Sequence, residues 1–247
     1  MFLISWVLIK NRYTGMHEHS YLEKRSQLQQ YFDRTAFDAW AKLTSTAPVS
    51  GIRKTVRAGR DEMRNTLLSY LPHDLSGQRV LDAGCGTGAL AVELAKRGAN
   101  VLATDISPTL IELARERLPK DLGRGSIEFF AGDMLDAALG QFDHVVCMDS
   151  MIHYQSRDIA QALAGLAQRT SQRIAFTFAP KNPLLSTMIT VGRLFPRGDR
   201  APFIEPVSEQ TLTRLIGQQA NLAAWKIAAT QKIARGFYIS QAMVLQR

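Results

Sequence analysis

The sequence predicts an α/β fold in which a mostly parallel, seven-stranded sheet carries helices on both faces. Three observations support this fold class. Short apolar strands alternate with amphipathic helices, glycines cluster directly after the first strand, and carboxylates follow successive strands. The 247 residues, 46% of them hydrophobic and 21% charged, suffice for one such domain with added segments. Because ligands of such sheets bind beyond the carboxyl ends of the strands, the residues that follow each strand are the candidate site residues.

Residues 21–71 show a helical pattern that precedes the first predicted strand. We expect residues 1–20 to be disordered or an upstream extension, with residues 21–72 forming an N-terminal helical lid. In the last of these helices, apolar residues that include Ile52, Met63 and Leu67 recur at helical spacing. A row of arginines runs beside them; a solvated flank is the simpler interpretation and an anion-facing surface is the alternative. The row consists of Arg53, Arg57, Arg60 and Arg64.

Residues 73–178 alternate between strand and helix patterns and form the predicted core of the protein. The predicted strands are 80–83, 101–105, 127–130, 144–148 and 174–178. Ser107 and Pro108 are predicted to start a helix as its N-cap and first residue, with Leu118 on the buried face. Ser156 is predicted to cap the next helix.

The β-α alternation stops after the fifth strand. Residues 179–206 contain five prolines around an apolar run, and their position suggests a wall or lid for a large hydrophobic substrate. An ordinary packed helix and loop is the alternative interpretation. Residues 207–247 are predicted to form a C-terminal helix and two closing antiparallel strands.

The stretch Val80-Leu-Asp-Ala-Gly-Cys-Gly-Thr-Gly is typical of an adenosine-cofactor site. Gly84, Gly86 and Gly88 tolerate the backbone angles of a tight strand-to-helix turn and let a ligand approach the backbone. Asp105 lies 21 residues beyond Gly84, the usual interval for a carboxylate that binds a ribose.

Three details favour S-adenosylmethionine (SAM) over NAD as the cofactor. The glycines are spaced G-x-G-x-G, and Asp82 stands where a pyrophosphate would be repelled but an ammonium group would be attracted. Asp133 follows the third strand and could accept from the adenine amino group, while Ile106 and Met134 enclose the ring. Met148, at the end of the fourth strand, completes the predicted cofactor residues. An NAD-dependent oxidoreductase remains the alternative from another class.

These motifs, over about residues 78–178, resemble the Rossmann-like class I SAM-dependent methyltransferases. Other segments resemble the magnesium-protoporphyrin IX O-methyltransferase family of chlorophyll and bacteriochlorophyll synthesis. Those segments are 31–40, 56–63, 148–154, 176–185 and 235–241. The resemblance implies methyl transfer from SAM to a propionate of Mg-protoporphyrin IX, giving the monomethyl ester, with magnesium present only within the substrate.

The same resemblance implies that Tyr31 and His153 are catalytic. The position of His153 supports this independently, because a loop that leaves the carboxyl end of the fourth strand faces the methyl donor. A quinone-ring C-methyltransferase is the alternative within the class, but it leaves the segments near Tyr31 and Phe237 unexplained.

Charge and cysteine content indicate the partners. The net charge of +8 favours an anionic partner, so peripheral binding to an acidic inner or photosynthetic membrane is expected of a bacterial, cytoplasmic protein. The family resemblance implies the large subunit of magnesium chelatase as a further partner. Nucleic acid is not expected, because an asparagine-proline-proline-aromatic motif and a suitably placed catalytic cysteine are lacking. Neither Cys85 and Cys147 nor His17 and His19 suggest a metal site.

Overall fold

A seven-stranded sheet runs through the protein, whose computed structural model describes residues 21, 23–34, 37–44, 48, 51–181 and 204–247. The strand order is β3-β2-β1-β4-β5-β7-β6. The first five strands are parallel, and β7 runs antiparallel to both β5 and β6. The strands are β1 Arg79–Ala83, β2 Asn100–Asp105, β3 Ser126–Ala131, β4 Phe142–Cys147, β5 Thr170–Phe178, β6 Lys226–Arg235 and β7 Tyr238–Gln246. The predicted fold class is confirmed.

Helices cover both faces of this sheet. The α-helices are α1 at residues 23–34, α2 Phe37–Leu43, α3 Gly51–Ser69, α4 Ala89–Lys96, α5 Pro108–Glu116, α6 Ser156–Ala167 and α7 Glu209–Gly217. Short 3-10 turns lie at Ala137–Leu139 and Ala220–Leu222. None of the described helices is long and apolar enough to cross a membrane.

The apolar core is divided by the sheet into two layers. Helices α3, α4 and α5 bury side chains such as Met63, Leu94 and Ile111 against one face. Helices α6 and α7 bury others, including Leu163 and Leu212, against the opposite face. Both faces of the central strands are therefore removed from water, as a parallel sheet requires, whereas the edge strands β3 and β6 remain partly exposed.

Local capping signals were predicted with mixed success. Ser107 does cap α5, since its side chain accepts a hydrogen bond from the Leu110 N–H, and Pro108 is the first helical residue. The prediction for Ser156 was wrong by one position: Gln155 is the N-cap and Ser156 begins α6. A serine can occupy either position, so its presence alone does not fix the boundary.

Two predicted core residues are exposed. Leu118 follows the end of α5 at Glu116 and is 36% exposed, because the buried face of the helix ends with Ala114. Ile52 lies in the first turn of α3 and is 57% exposed. The buried residues of α3 begin only at Gly59, where the helix meets Tyr238 of β7.

The two ends of the predicted insertion come together beside the β4–α6 loop. Pro180 pairs with Val207, and the Lys181 N–H donates to the Val207 carbonyl at 2.8 Å. The Glu205 N–H donates to the Ile152 carbonyl, next to His153. The predictions for the rest of the insertion, residues 182–203, and for residues 1–20 fall outside the described residues.

Candidate functional site

A cavity of about 940 Å³ lies at the carboxyl edge of the parallel strands, between the sheet and helices α1, α2 and α3. Most of its exposed lining is apolar, and the sheet side is formed by residues that directly follow β1, β2 and β4. These are the positions from which the sequence predicted a cofactor site. The N-terminal helices form the opposite wall.

The glycine turn follows β1 and borders the cavity. The N–H groups of Gly84 and Cys85 both donate to the Thr104 carbonyl, at 2.8 and 2.9 Å, which fixes the turn over the end of β2. Gly84 has φ +82°, and a β-carbon there would lie 2.3 Å from the β-carbon of Ser150. Gly88 has a different surrounding, since it precedes α4 and adjoins the Phe129 ring.

Asp82 is a fully buried carboxylate in β1 that borders this cavity. Neither of its oxygens accepts a well-formed hydrogen bond from the described residues. Burial, and next the negative charge of Asp105, raise the pKa of Asp82 to about 7, although the Ala91 N–H of α4 has a weaker influence that lowers this pKa. An unpaired buried carboxylate is costly, so the site is suited to a cationic ligand group such as an ammonium.

Asp105 ends β2 and is held by backbone groups. Its carboxylate accepts from the N–H of Gly86 and from the N–H of Ser107, each at 2.9 Å. Burial nevertheless raises the pKa of Asp105 to about 6. A carboxylate has about four acceptor positions, so Asp105 retains capacity for hydroxyl donors such as those of a ribose.

Asp133 does not border the cavity, unlike the other predicted cofactor residues near it. Its carboxylate accepts from the Tyr21 hydroxyl at 2.9 Å and from the Arg25 guanidinium at 2.6 Å. It also accepts from the Leu135 N–H at 2.9 Å. The apolar residues predicted with it, Ile106, Met134 and Met148, do line the cavity.

The two predicted catalytic residues both line the cavity and contact the same aromatic ring. Tyr31 comes from α1 and His153 from the loop after β4, and both line the cavity. The Phe32 ring contacts each of them edge to face, with centroid distances of 5.3 Å to Tyr31 and 6.4 Å to His153. Since His153 is 8% exposed, its imidazole is largely screened from bulk water.

The arginine row of α3 also borders the cavity, which does not fit a wholly solvated flank. Arg57 donates to the carbonyls of Lys42 and Leu43, both at 3.0 Å, at the end of α2. Arg64 pairs with Asp61 at 2.7 Å. Arg60 pairs with a carboxylate that follows β4, Asp149, at 2.5 Å.

Several residues of this region were not assigned to the site from the sequence. The Arg60 guanidinium lies 4.6 Å from the centroid of the Trp40 ring, and a β-carbon on Gly86 would be 3.3 Å from Trp40 Nε1. Tyr21 stacks on Tyr154 at 5.3 Å. The sequence signal that could have assigned Asp149 to the site was an acid directly after the predicted strand 144–148. Within the described ranges, no group of three or more His, Cys, Asp or Glu side chains could hold a metal ion.

The strand order, the glycine turn after β1 and the acids at the ends of β1 and β2 together define the class I SAM-dependent methyltransferases. Residues 80–172 match the methyltransferase domain family, and residues 147–247 match the C-terminus family of magnesium-protoporphyrin IX methyltransferase. The magnesium-protoporphyrin O-methyltransferase of Rhodobacter capsulatus is 50% identical over 224 residues, which cover 90% of this chain and 96% of that protein. The chain belongs to the magnesium-protoporphyrin IX methyltransferase family.

Two solved structures of the magnesium protoporphyrin IX methyltransferase from Synechocystis PCC 6803 are similar over most of the chain. The one with bound S-adenosylhomocysteine (SAH) has 28% identity and a TM-score of 0.79, and covers 91% of this chain and 99% of its own. The one with bound SAM has 26% identity and a TM-score of 0.72, with coverages of 91% and 97%. SAM is therefore the cofactor of this class of site, as the sequence predicted.

Proposed function

We propose that this protein is an O-methyltransferase that uses SAM to esterify a propionate carboxylate of Mg-protoporphyrin IX, giving the monomethyl ester. One observation carries the proposal: a large, mostly apolar cavity is bordered at one place by the unpaired carboxylate of Asp82 and at another by Tyr31 and His153. A flat apolar macrocycle and a cationic methyl donor are both suited to such a cavity. The 50% identical relative carries the corresponding name.

The described residues fit SAM. Asp82 would bind its ammonium group, the backbone at Gly84 and Gly86 would adjoin its amino-acid portion, and Asp105 would accept from its ribose hydroxyls. Ile106, Met134 and Met148 would supply apolar contacts. When bound, SAM supplies a methyl group that is electrophilic because it is attached to a positively charged sulfur.

Protonation of the substrate is the first point at which the protein acts. A propionic acid resembles the Glu side chain, whose pKa is about 4.3 in water, so it reaches the protein as a nucleophilic carboxylate. An apolar cavity raises such a pKa, and a protonated acid would not react. His153 would accept the proton or keep it away, while the Tyr31 hydroxyl would orient the reacting oxygen.

Positioning supplies the larger part of the rate. The walls formed by α1, α2 and α3 would screen the reacting carboxylate from water, and the sheet edge would hold the residues that follow β1, β2 and β4 in place. Alignment of two reactants in such a site converts a bimolecular reaction into an effectively intramolecular one. In this proposal the fold orients the two reactants, and His153 controls the proton of the reacting carboxylate.

We further propose that the protein associates with acidic membranes in a bacterial cytoplasm and receives its porphyrin from the large subunit of magnesium chelatase. The net charge of +8 supports the first part, and the family resemblance suggests the second. Flotation with acidic liposomes should fall as the salt concentration rises, and salt-independent flotation would contradict an electrostatic association. Co-purification with the chelatase subunit tests the second part.

The esterification is tested with Mg-protoporphyrin IX and SAM that carries a labelled methyl group. We expect the label to be recovered on the porphyrin as an ester that mild base removes. Label that resists base would indicate methylation of another atom, and a porphyrin without label would remove the proposal. The Asp82→Asn variant is the control for donor binding in the same assay.

A further inference from the structure

Asp149 has unusual backbone and side-chain surroundings for a residue in a loop. It is the second residue after β4 and has φ +55°, the only positive value among the described non-glycine residues. Its side chain is 5% exposed. The hydroxyls of Tyr238, Ser240 and Thr177 donate to it at 3.0, 3.3 and 3.3 Å. Neighbouring strands thus hold this carboxylate in a backbone conformation that costs energy.

Arg60 approaches the same carboxylate from α3. Its guanidinium donates to Asp149 Oδ2 at 2.5 Å, and its side chain is 19% exposed. The guanidinium also lies over the Trp40 ring, so two contacts fix its position at the cavity wall. Arg60 is therefore a cation at the cavity wall, and its charge is already balanced by Asp149.

An unbalanced guanidinium at this wall would affect esterification adversely. Arginine forms strong, bidentate pairs with carboxylates, and such a pair would lower the energy of the reacting carboxylate before reaction. The negative charge of that carboxylate disappears as the ester forms. Pairing is therefore stronger in the ground state than in the transition state, so it would tighten substrate binding and slow turnover.

We infer that Asp149 is a positioning residue that neutralises Arg60 and so keeps the reacting propionate from pairing with it. The inference rests on the proposed function and adds a residue that controls the nucleophile's charge environment. It also explains why an acid at this position is held by three hydroxyl donors. These donors fix the orientation of the Asp149 carboxylate, whose Oδ2 faces Arg60.

The test uses the full chain with Asp149→Asn. Asparagine tolerates a positive φ and keeps an oxygen for Tyr238, so the change removes mainly the charge. Binding of Mg-protoporphyrin IX to the SAH-loaded protein is measured by porphyrin fluorescence, without turnover. We expect binding about tenfold tighter and kcat about tenfold lower than in the wild type, so that KM and kcat fall together.

Two controls separate charge from structure. The dimethyl ester of Mg-protoporphyrin IX has no carboxylate, and we expect wild type and Asp149→Asn to bind it equally. The double variant Arg60→Gln with Asp149→Asn carries neither charge, and we expect its porphyrin binding to lie within about threefold of wild type. If Asp149→Asn alone fails to fold, the double variant still tests whether Asp149 acts by neutralising Arg60.

The inference is overturned if Asp149→Asn binds the diacid no more tightly than the wild type does. It is also overturned if the dimethyl ester shows the same change as the diacid, which would indicate a structural effect. A tenfold or greater loss of binding in the double variant would show that Arg60 binds substrate directly. If the wild type forms no ester, the proposed function fails, whereas an active wild type with an unchanged variant removes the inference alone.

Discussion

Arg25 of α1 donates to the Asp133 carboxylate at 2.6 Å, and so joins the N-terminal helices to the loop after β3. Tyr21 reinforces this contact with a second hydrogen bond to the same carboxylate, at 2.9 Å. The residue before Asp133 and the residue after it, Gly132 and Met134, border the cavity. The Asp133 carboxylate therefore contributes both to the docking of α1 and to the shape of the cavity beside Gly132 and Met134.

Loss of this ion pair should weaken donor binding more than turnover. We expect Arg25→Gln to raise the Kd for SAH about three- to tenfold at low salt, because α1 is then held less firmly. The pair is partly exposed, so the difference should shrink at high salt. Calorimetry measures the Kd. Arg34→Gln, an exposed change on the same helix, is the matched control and should have no effect.

Donor affinity should depend on pH through Asp82. The pKa of Asp82 is about 7 in the free protein, and an ammonium ligand binds its deprotonated form. Below pH 7, Asp82 must therefore release a proton before the ligand binds. We expect the affinity for SAH to rise by up to about tenfold per pH unit toward pH 7 and then level off. In Asp82→Asn the affinity should be weaker and independent of pH. A pH-dependent affinity in that variant would show that another group is responsible.

Stability of the ligand-free protein should depend on pH in the opposite direction. The pKa of Asp82 is raised from 3.8 to about 7 on folding, so the unfolded chain loses the proton first as pH rises. Between about pH 4 and pH 7 the folded state binds more protons than the unfolded state. The free energy of unfolding must therefore fall as the pH rises through this range. Asp105, with a pKa of about 6, contributes in the same sense. Denaturant unfolding should show that the free energy of unfolding falls less with rising pH in Asp82→Asn than in the wild type.

Two glycines with similar backbone angles allow the cost of a positive φ to be distinguished from the cost of a steric clash. Gly77 has φ +75° with nothing within 4 Å of an added β-carbon, whereas Gly84 has φ +82° and would clash with Ser150. Gly77→Ala should cost about 1 kcal/mol of stability and leave SAM binding intact. Gly84→Ala should cost more and weaken SAH binding at least about tenfold. Equal effects of the two changes would contradict the account of the turn.

The proposed catalytic residues should affect turnover without affecting donor affinity. We expect Tyr31→Phe and His153→Gln each to lower kcat about 10- to 100-fold while the Kd for SAH stays within about twofold. Tyr70→Phe removes a buried hydroxyl that lacks a hydrogen-bond partner among the described residues, and serves as the matched control. Retention of wild-type kcat by both variants would show that the two residues are misassigned.

The sheet and the position of the candidate donor site could be predicted because their signals are local in sequence. Alternating strands and helices, the turn at Gly84 and the acid at Asp105 lie within one β-α-β unit. The surroundings of Asp133 could not be predicted in this way, since Tyr21 is 112 residues distant. The helical spacing of the arginines identified a common face but not what that face meets. Arg60 finds its partner 89 residues away.

In the proposed reaction, one methyl group passes from SAM to one propionate of Mg-protoporphyrin IX. The most direct measurement quantifies SAH and the porphyrin monomethyl ester in a single reaction by chromatography. We expect the two products to appear in equal amounts and at equal rates. Formation of SAH without the monomethyl ester, or of the ester without SAH, would contradict the proposed reaction.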